Sequence, residues 1–275
     1  INALRAQGTP IKEARIIFFG AGSSAIGVAT QITHLLMSEG LSEVEAKRAI
    51  WLMDSKGLIT DQRDNFQALS VQKKLFAQVG VEPCDDLGEL IDRVKPHALF
   101  GLSGFGPVFT REHIESLCDH IGKPIVFPLS NPTEKAEITA FDAYTWSKGK
   151  CLFAAGSPFD PVTIDGKTHT PGQGNNMFIF PGVGFASVSI KAREVPDSFF
   201  LCAAKALAAI LPDEEVKKGT IYPPVSRIRE ISRHVAVAVA NHAYDIDMAQ
   251  LHPKPGDMEA FISERMYFPM EDGSV

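Results

Sequence analysis

Apolar residues in this chain cluster in short runs, separated by stretches with helical spacing. Arg15-Ile-Ile-Phe-Phe19, Ile50-Trp-Leu-Met53, His97-Ala-Leu-Phe-Gly-Leu102, Pro124-Ile-Val-Phe-Pro-Leu129 and Cys151-Leu-Phe-Ala154 lack polar alternation, the pattern of strands buried on both faces of a parallel sheet. Helical spacing is found over Val28–Met37, Asp86–Val94, Thr110–Asp119 and Thr139–Ser147. Ser42-Glu-Val-Glu45 has the form of a capping box opening a short helix to Ala49. Residues 61–85 read as loop with one short helix, and Gly156–Gly174, rich in Gly, Pro and Asp, as loop throughout. Strands alternating with helices at this spacing predict an α/β fold with a doubly wound, mostly parallel sheet. The last third differs, because Val195–Leu211 and Val225–Tyr244 are alanine-rich helices separated by the turn-forming stretch Gly219–Pro224. The expected division is therefore residues 1–194 as the sheet domain and 195–275 as a C-terminal helical extension packed on it. Beyond Leu251, prolines and charges predict a loosely packed arm.

Composition narrows the class. The 275 residues are 45% hydrophobic and 22% charged, enough apolar material for a sizeable core and unlike a disordered tail. A net charge of −6 argues against nucleic acid or an anionic membrane as partner. No apolar stretch approaches the roughly 18 residues of a membrane span. The chain begins at Ile1 without a charged start and apolar run, so it reads as a soluble, cytoplasmic chain that is processed or a fragment. Cys84, Cys118, Cys151 and Cys202 are widely spaced, as expected of reduced core thiols.

Chemistry concentrates at three places. Gly20-x-Gly22-x-x-Ala25 falls between the first strand and its helix, the context in which this pattern binds a dinucleotide. Gly20 would form the tight turn, Gly22 would admit a pyrophosphate, and Ala25 would let helix and strand pack closely, in a Rossmann-like arrangement. The helix N-terminus would supply N–H groups to the phosphates. Asp54 ends the second strand about 30 residues past the glycines rather than the usual 20 or so, the Ser42–Ala49 helix accounting for the excess. It would either accept from the adenosine ribose or cap the next turn. Ser55 and Lys56 are alternatives for meeting a 2′-phosphate, so NAD and NADP both stay open, with the Asp54 carboxylate favouring NAD by repulsion. Asn131 follows the fourth strand, at the ligand-binding edge of an open α/β sheet, unless its amide only forms an Asx turn before Pro132. Asn175 and Asn176, after a glycine-rich loop, would place neutral donors and acceptors at the start of an apolar helix, more than an N-cap needs. The histidines on predicted helices show no metal-ligand spacing, and neither Ser103 nor Ser157 sits in a GxSxG elbow.

These motifs together resemble the C-terminal, NAD-binding half of the malic enzymes. Phe19-Gly-Ala-Gly-Ser-Ser-Ala-Ile-Gly27, Trp51-Leu-Met-Asp-Ser-Lys-Gly-Leu58, Pro128-Leu-Ser-Asn-Pro-Thr133, Phe153-Ala-Ala-Gly-Ser-Pro-Phe159 and Pro171-Gly-Gln-Gly-Asn-Asn-Met-Phe-Ile-Phe-Pro-Gly182 carry the likeness. The resemblance implies oxidative decarboxylation of (S)-malate to pyruvate and CO2 with NAD or NADP and Mg or Mn, in a homo-oligomer. It implies that Gly20, Ala21, Gly22, Ser23 and Ser24 bind the cofactor phosphates and Asp54 the ribose, with Ser55 beside it. Asn131 would lie at the nicotinamide and malate, and Asn175 and Asn176 at the malate carboxylate. The family's catalytic tyrosine and lysine and its metal ligands lie upstream of the glycine-rich motif, and nineteen residues precede Gly20 here. The expectation is a cofactor half with no catalytic or metal-binding residue of its own, inactive alone. The rival expectations are a malolactic enzyme domain, a dinucleotide-sensing module without chemistry, and an interaction scaffold built on the C-terminal helices.

Overall fold

The computed structural model describes residues 1–267. The apolar runs form β1 (Ile16–Phe19), β2 (Ile50–Asp54), β4 (Ala98–Gly101), β5 (Ile125–Pro128) and β6 (Leu152–Ala155), with a two-residue β3 (Gly57–Leu58) turning back from β2. Three short strands follow: β7 (Val162–Ile164), β8 (Lys167–His169) and β9 (Gly172–Gln173). The main sheet has the order β3-β2-β1-β4-β5-β6-β9. Every pairing is parallel except β2 with β3, so the α/β, doubly wound reading holds. Residues 156–174 are more ordered than a loop. Asp165-Gly166, both at positive φ, join β7 and β8 as a two-residue hairpin turn, the geometry that Asp-Gly favours.

The strands alternate their side chains between two cores, one on each face of the sheet. Phe18, Leu52, Phe100, Phe127 and Ala154 share one face with Ala25, Ala29 and Leu36 of the helix Ser23–Ser38. Phe100 bridges Phe18 and Phe127, with ring centroids 5.1 and 5.2 Å apart. Ile17, Met53, Leu99, Val126 and Phe153 share the other face with Leu90 and Ile91 of the helix Leu87–Val94, Ile114 and Leu117 of Arg111–Ile121, and Ala143 and Tyr144 of Ala140–Trp146. The capping box at Ser42 is complete, with both reciprocal hydrogen bonds formed.

The chain forms two compact units, Ile1–Asn175 with Pro212–Tyr222, and Asn176–Leu211 with the residues from Pro223 onward. The division thus falls at Asn175, earlier than residue 194, and the segment 212–222 belongs with the sheet. Its reason is local: Ile221 enters the sheet core, Asn2 donates to the Ile221 carbonyl at 3.2 Å, and Arg5 pairs with Asp213. In the second unit the helix Ile228–Asp245 packs against Phe180–Ser189 and Asp197–Ala209. Small residues allow the approach: a Cβ at Gly182 would lie 2.7 Å from Val235. The expected loose arm beyond Leu251 instead contains a helix, Met258–Arg265, capped by Asp257 and burying Met258 and Ile262. Two apolar residues four apart suffice to seat it, a signal the surrounding prolines hid. No helix among the described residues is long and apolar enough to cross a membrane.

Candidate functional site

The sheet order reverses at β1, whose chain neighbour β2 lies on one side and β4 on the other. Loops leaving the carboxyl ends of β1 and β4 diverge at such a point and open a crevice. Gly20 stands there with φ +116°, and a Cβ on it would fall on the Leu102 carbonyl of the β4 loop. Only glycine satisfies both the left-handed backbone and the close approach. Gly22 is the N-cap of the helix Ser23–Ser38 and has no side-chain cap, while a Cβ there would meet open space. The first intrahelical bond runs from Ile26 N–H to the Gly22 carbonyl, at 3.0 Å. The N–H groups of Ser23, Ser24 and Ala25 therefore precede the helical ladder, as at any helix start. Ser23 and Ser24 are exposed and Ala21 is buried beneath them. Fully buried Ala25 and Ala29 hold the helix close to the sheet. The positive end of a 16-residue helix thus opens on the crevice, a cradle that fits a diphosphate.

Asp54 both caps its turn and forms a charge cluster. Its Oδ1 accepts from the Lys56 N–H at 3.0 Å and pairs with buried Arg63 at 3.1 Å, and its Oδ2 pairs with Lys73 at 2.7 Å. Burial alone would raise its pKa, but the hydrogen bonds from Lys73, the Lys56 N–H and Arg63 outweigh it and hold the carboxyl below the ordinary 3.8. The carboxylate that was expected to repel a 2′-phosphate is therefore neutralised by two cations. Ser55 and Lys56 beside it are exposed. Arg63 and Lys73 escaped the sequence reading because they lie in the irregular stretch 61–85, where nothing in the spacing points them at Asp54.

Beyond β5, Ser130 is buried and Asn131 exposed. Asn131 Oδ1 accepts from Ser157 Oγ at 2.6 Å, so its side chain engages the loop after β6. Gly156 makes room for it, since a Cβ there would lie 2.9 Å from both amide atoms of Asn131. Asn175 reaches the same place, with Nδ2 at 3.5 Å from the Gly156 carbonyl. The structure thus brings Asn131, Ser157 and Asn175 together. Asn176 belongs to the other unit and opens a short 3-10 turn, Asn176–Phe178. The apolar helix begins later, at Phe180 with Ile179 as N-cap, so the asparagine pair does not lie at its N-terminus; Pro181 in the first turn sets that later start.

Reactive groups are few. Burial pushes the Cys151 thiol up to about 12 and raises Cys84, Cys118 and Cys202, so these free thiols are poor nucleophiles. Among the described residues no three His, Cys, Asp or Glu side chains form a metal-holding group. The residues at the crevice fit a dinucleotide.

Fold and crevice define a dinucleotide-binding α/β protein. The sequence matches the family described as "Malic enzyme, NAD binding domain" over residues 1–244, and the chain belongs to that family. It is 49% identical to an NADP-dependent malic enzyme of Dictyostelium discoideum, over 100% of this chain and 50% of that one. It is 40% identical to an NADP-dependent malic enzyme of Rattus norvegicus, over 97% and 46%. The chain thus spans about half the length of the curated relatives it matches. In fold it is similar to the crystal structure of Entamoeba histolytica malic enzyme, with a TM-score of 0.75 at 24% identity, covering 96% of this chain and 49% of that one.

Proposed function

We propose that this chain is the cofactor-holding part of a malic enzyme and that its preferred dinucleotide is NADP. The observation that carries the reading is the uncapped N-terminus of the helix Ser23–Ser38, opening at the sheet's reversal point. Backbone N–H groups of residues 22–24 hold the diphosphate there. Asp54 faces the adenosine ribose with its charge already balanced, so a 2′-phosphate beside exposed Ser55 and Lys56 meets net positive charge. The relatives named NADP-dependent support that preference. Asn131, held by Ser157, orients the nicotinamide end and the substrate by donating from its amide, with Asn175 of the same unit toward the substrate carboxylate.

In the whole protein the reaction converts (S)-malate and NADP+ to pyruvate, CO2 and NADPH. The bound nicotinamide supplies the hydride acceptor; this chain's residues bind it, orient it and leave the crevice mouth open to substrate. By itself the chain is expected to bind the dinucleotide and form no NADPH from malate in the presence of Mn.

A fluorescence titration of the purified chain with NADPH and with NADH tests this reading. Saturable binding with NADPH at least about tenfold tighter is expected, the size of one charge-assisted phosphate contact. Lys56→Ala should remove most of that preference and leave NADH within about twofold. Binding of NADH over NADPH would reverse the cofactor assignment.

A further inference from the structure

A single buried side chain, unused so far, ties the crossover loops after β4 and β5 together. Glu137 is completely buried. Its Oε1 accepts from the Ser103 N–H at 2.9 Å and from Ser130 Oγ at 2.5 Å, and Ser103 Oγ lies 2.7 Å away. Ser130 Oγ in turn accepts from the Gly104 N–H at 2.9 Å. The other carboxyl oxygen, Oε2, is buried with no hydrogen-bond partner, a costly arrangement that an ordinary loop would not need. Gly101, the last residue of β4, leaves the space: a Cβ there would collide with the Glu137 carboxyl group. Glu137 is also held from its own backbone, since its carbonyl accepts from the N–H groups of Val108 and Phe109 at 2.8 and 2.9 Å. One carboxyl group therefore fixes residues 103–104 against residue 130, and residue 130 precedes Asn131.

Topology says which end of a dinucleotide this knot serves. Phosphates at Gly22 sit over β1, and Asp54 marks the adenosine side over β2, so the other half of the molecule must extend over β4 and β5. We infer that Glu137 is a positioning residue for the nicotinamide half of the site, acting through Ser103 and Ser130 to hold Asn131. The inference rests on the dinucleotide reading of the crevice and names a residue which that reading leaves out. Glu137 touches no ligand; its effect is confined to one half of the cofactor.

That confinement is measurable with two probes, NADPH and 2′-phospho-ADP-ribose, which lacks the nicotinamide. Three variants are compared by titration calorimetry: Glu137→Ala, Ser130→Ala and Glu137→Gln. Ser130→Ala removes one hydroxyl and guards against a failure of Glu137→Ala to fold. Glu137→Gln keeps an oxygen to accept the same donors. For Glu137→Ala and Ser130→Ala, NADPH should weaken about tenfold while 2′-phospho-ADP-ribose stays within about twofold, the loss expected when one oriented polar contact is released. Glu137→Gln should stay near wild type. Hydrogen exchange should quicken in residues 102–106 and 129–133 of the two alanine variants and not in residues 20–38. A purely structural role would quicken exchange and lower the melting temperature without changing the ratio of the two affinities, and that result overturns the inference. A wild-type chain that binds neither probe would overturn the dinucleotide reading itself, and this inference with it.

Discussion

The two sides of the crevice are built by different means. On the β1 side the groups at the crevice are backbone: a glycine at φ +116°, an uncapped helix start and the N–H groups behind it. On the β4–β5 side they are side chains, Asn131 held by Ser157 and backed by Ser130, Ser103 and buried Glu137. Backbone donors arrive with the fold and tolerate changes in side-chain chemistry, whereas the second side depends on an exposed Asn131–Ser157 pair and on the hydrogen bonds that buried Glu137 makes to Ser103 and Ser130. Loss of one member there leaves buried partners unsatisfied. The same crevice therefore has one robust side and one that is sensitive to single substitutions.

The largest effect should come from attacking the backbone side through its one steric constraint. Gly20→Val places a β-branched side chain at positive φ and against the Leu102 carbonyl, and should cost at least about 3 kcal/mol of stability in urea unfolding, together with dinucleotide binding. Next comes Asp54→Asn, which leaves Arg63, with 5% of its side chain exposed, facing no carboxylate. About 2 kcal/mol is expected, below the full cost of an unpaired buried charge because Arg63 keeps its contact with Asn65 at 2.7 Å. This loss should also depend on pH. The folded carboxyl has a pKa below 3.8, so its contribution is present above that value and disappears as pH falls through it toward the folded pKa. Wild type and Asp54→Asn should therefore converge in stability as pH falls through the lowered folded pKa of Asp54 and separate near pH 6. The smallest effect should come from Ser24→Ala: if backbone groups hold the phosphates, NADPH affinity should fall less than about threefold. A hundredfold loss there would mean that the β1 side works through side chains after all.

The backbone-built side was also the legible one. Gly20, Gly22 and Ala25 could be assigned from sequence because the tight turn, the helix start and the close packing each demand a small residue at a set spacing. The strand runs were legible for a related reason, as burial on both faces leaves no room for polar residues. What escaped depends on contacts distant in the chain. Asp54 looked like a lone negative charge because Arg63 and Lys73 join it from an irregular segment. Nothing in the sequence singled out Glu137, and only the fold shows it buried against Gly101. Ser157 offered no GxSxG elbow and was given no role, whereas the structure uses it as a donor to Asn131. The helix Met258–Arg265 was hidden by flanking prolines, although Asp257 supplies its cap. The β7–β8 hairpin was the avoidable miss, since Asp165-Gly166 is itself a turn signal.

The proposed role of the open helix start at the β1 crevice, holding the diphosphate of a dinucleotide, can be tested directly. In backbone amide NMR of the 15N-labelled chain during an NADPH titration, the largest shifts are expected at the amides of Gly20, Gly22, Ser23 and Ser24, saturating with the same affinity as the fluorescence signal. Saturable binding that leaves these amides unmoved would contradict it, because the phosphates would then lie elsewhere on the protein.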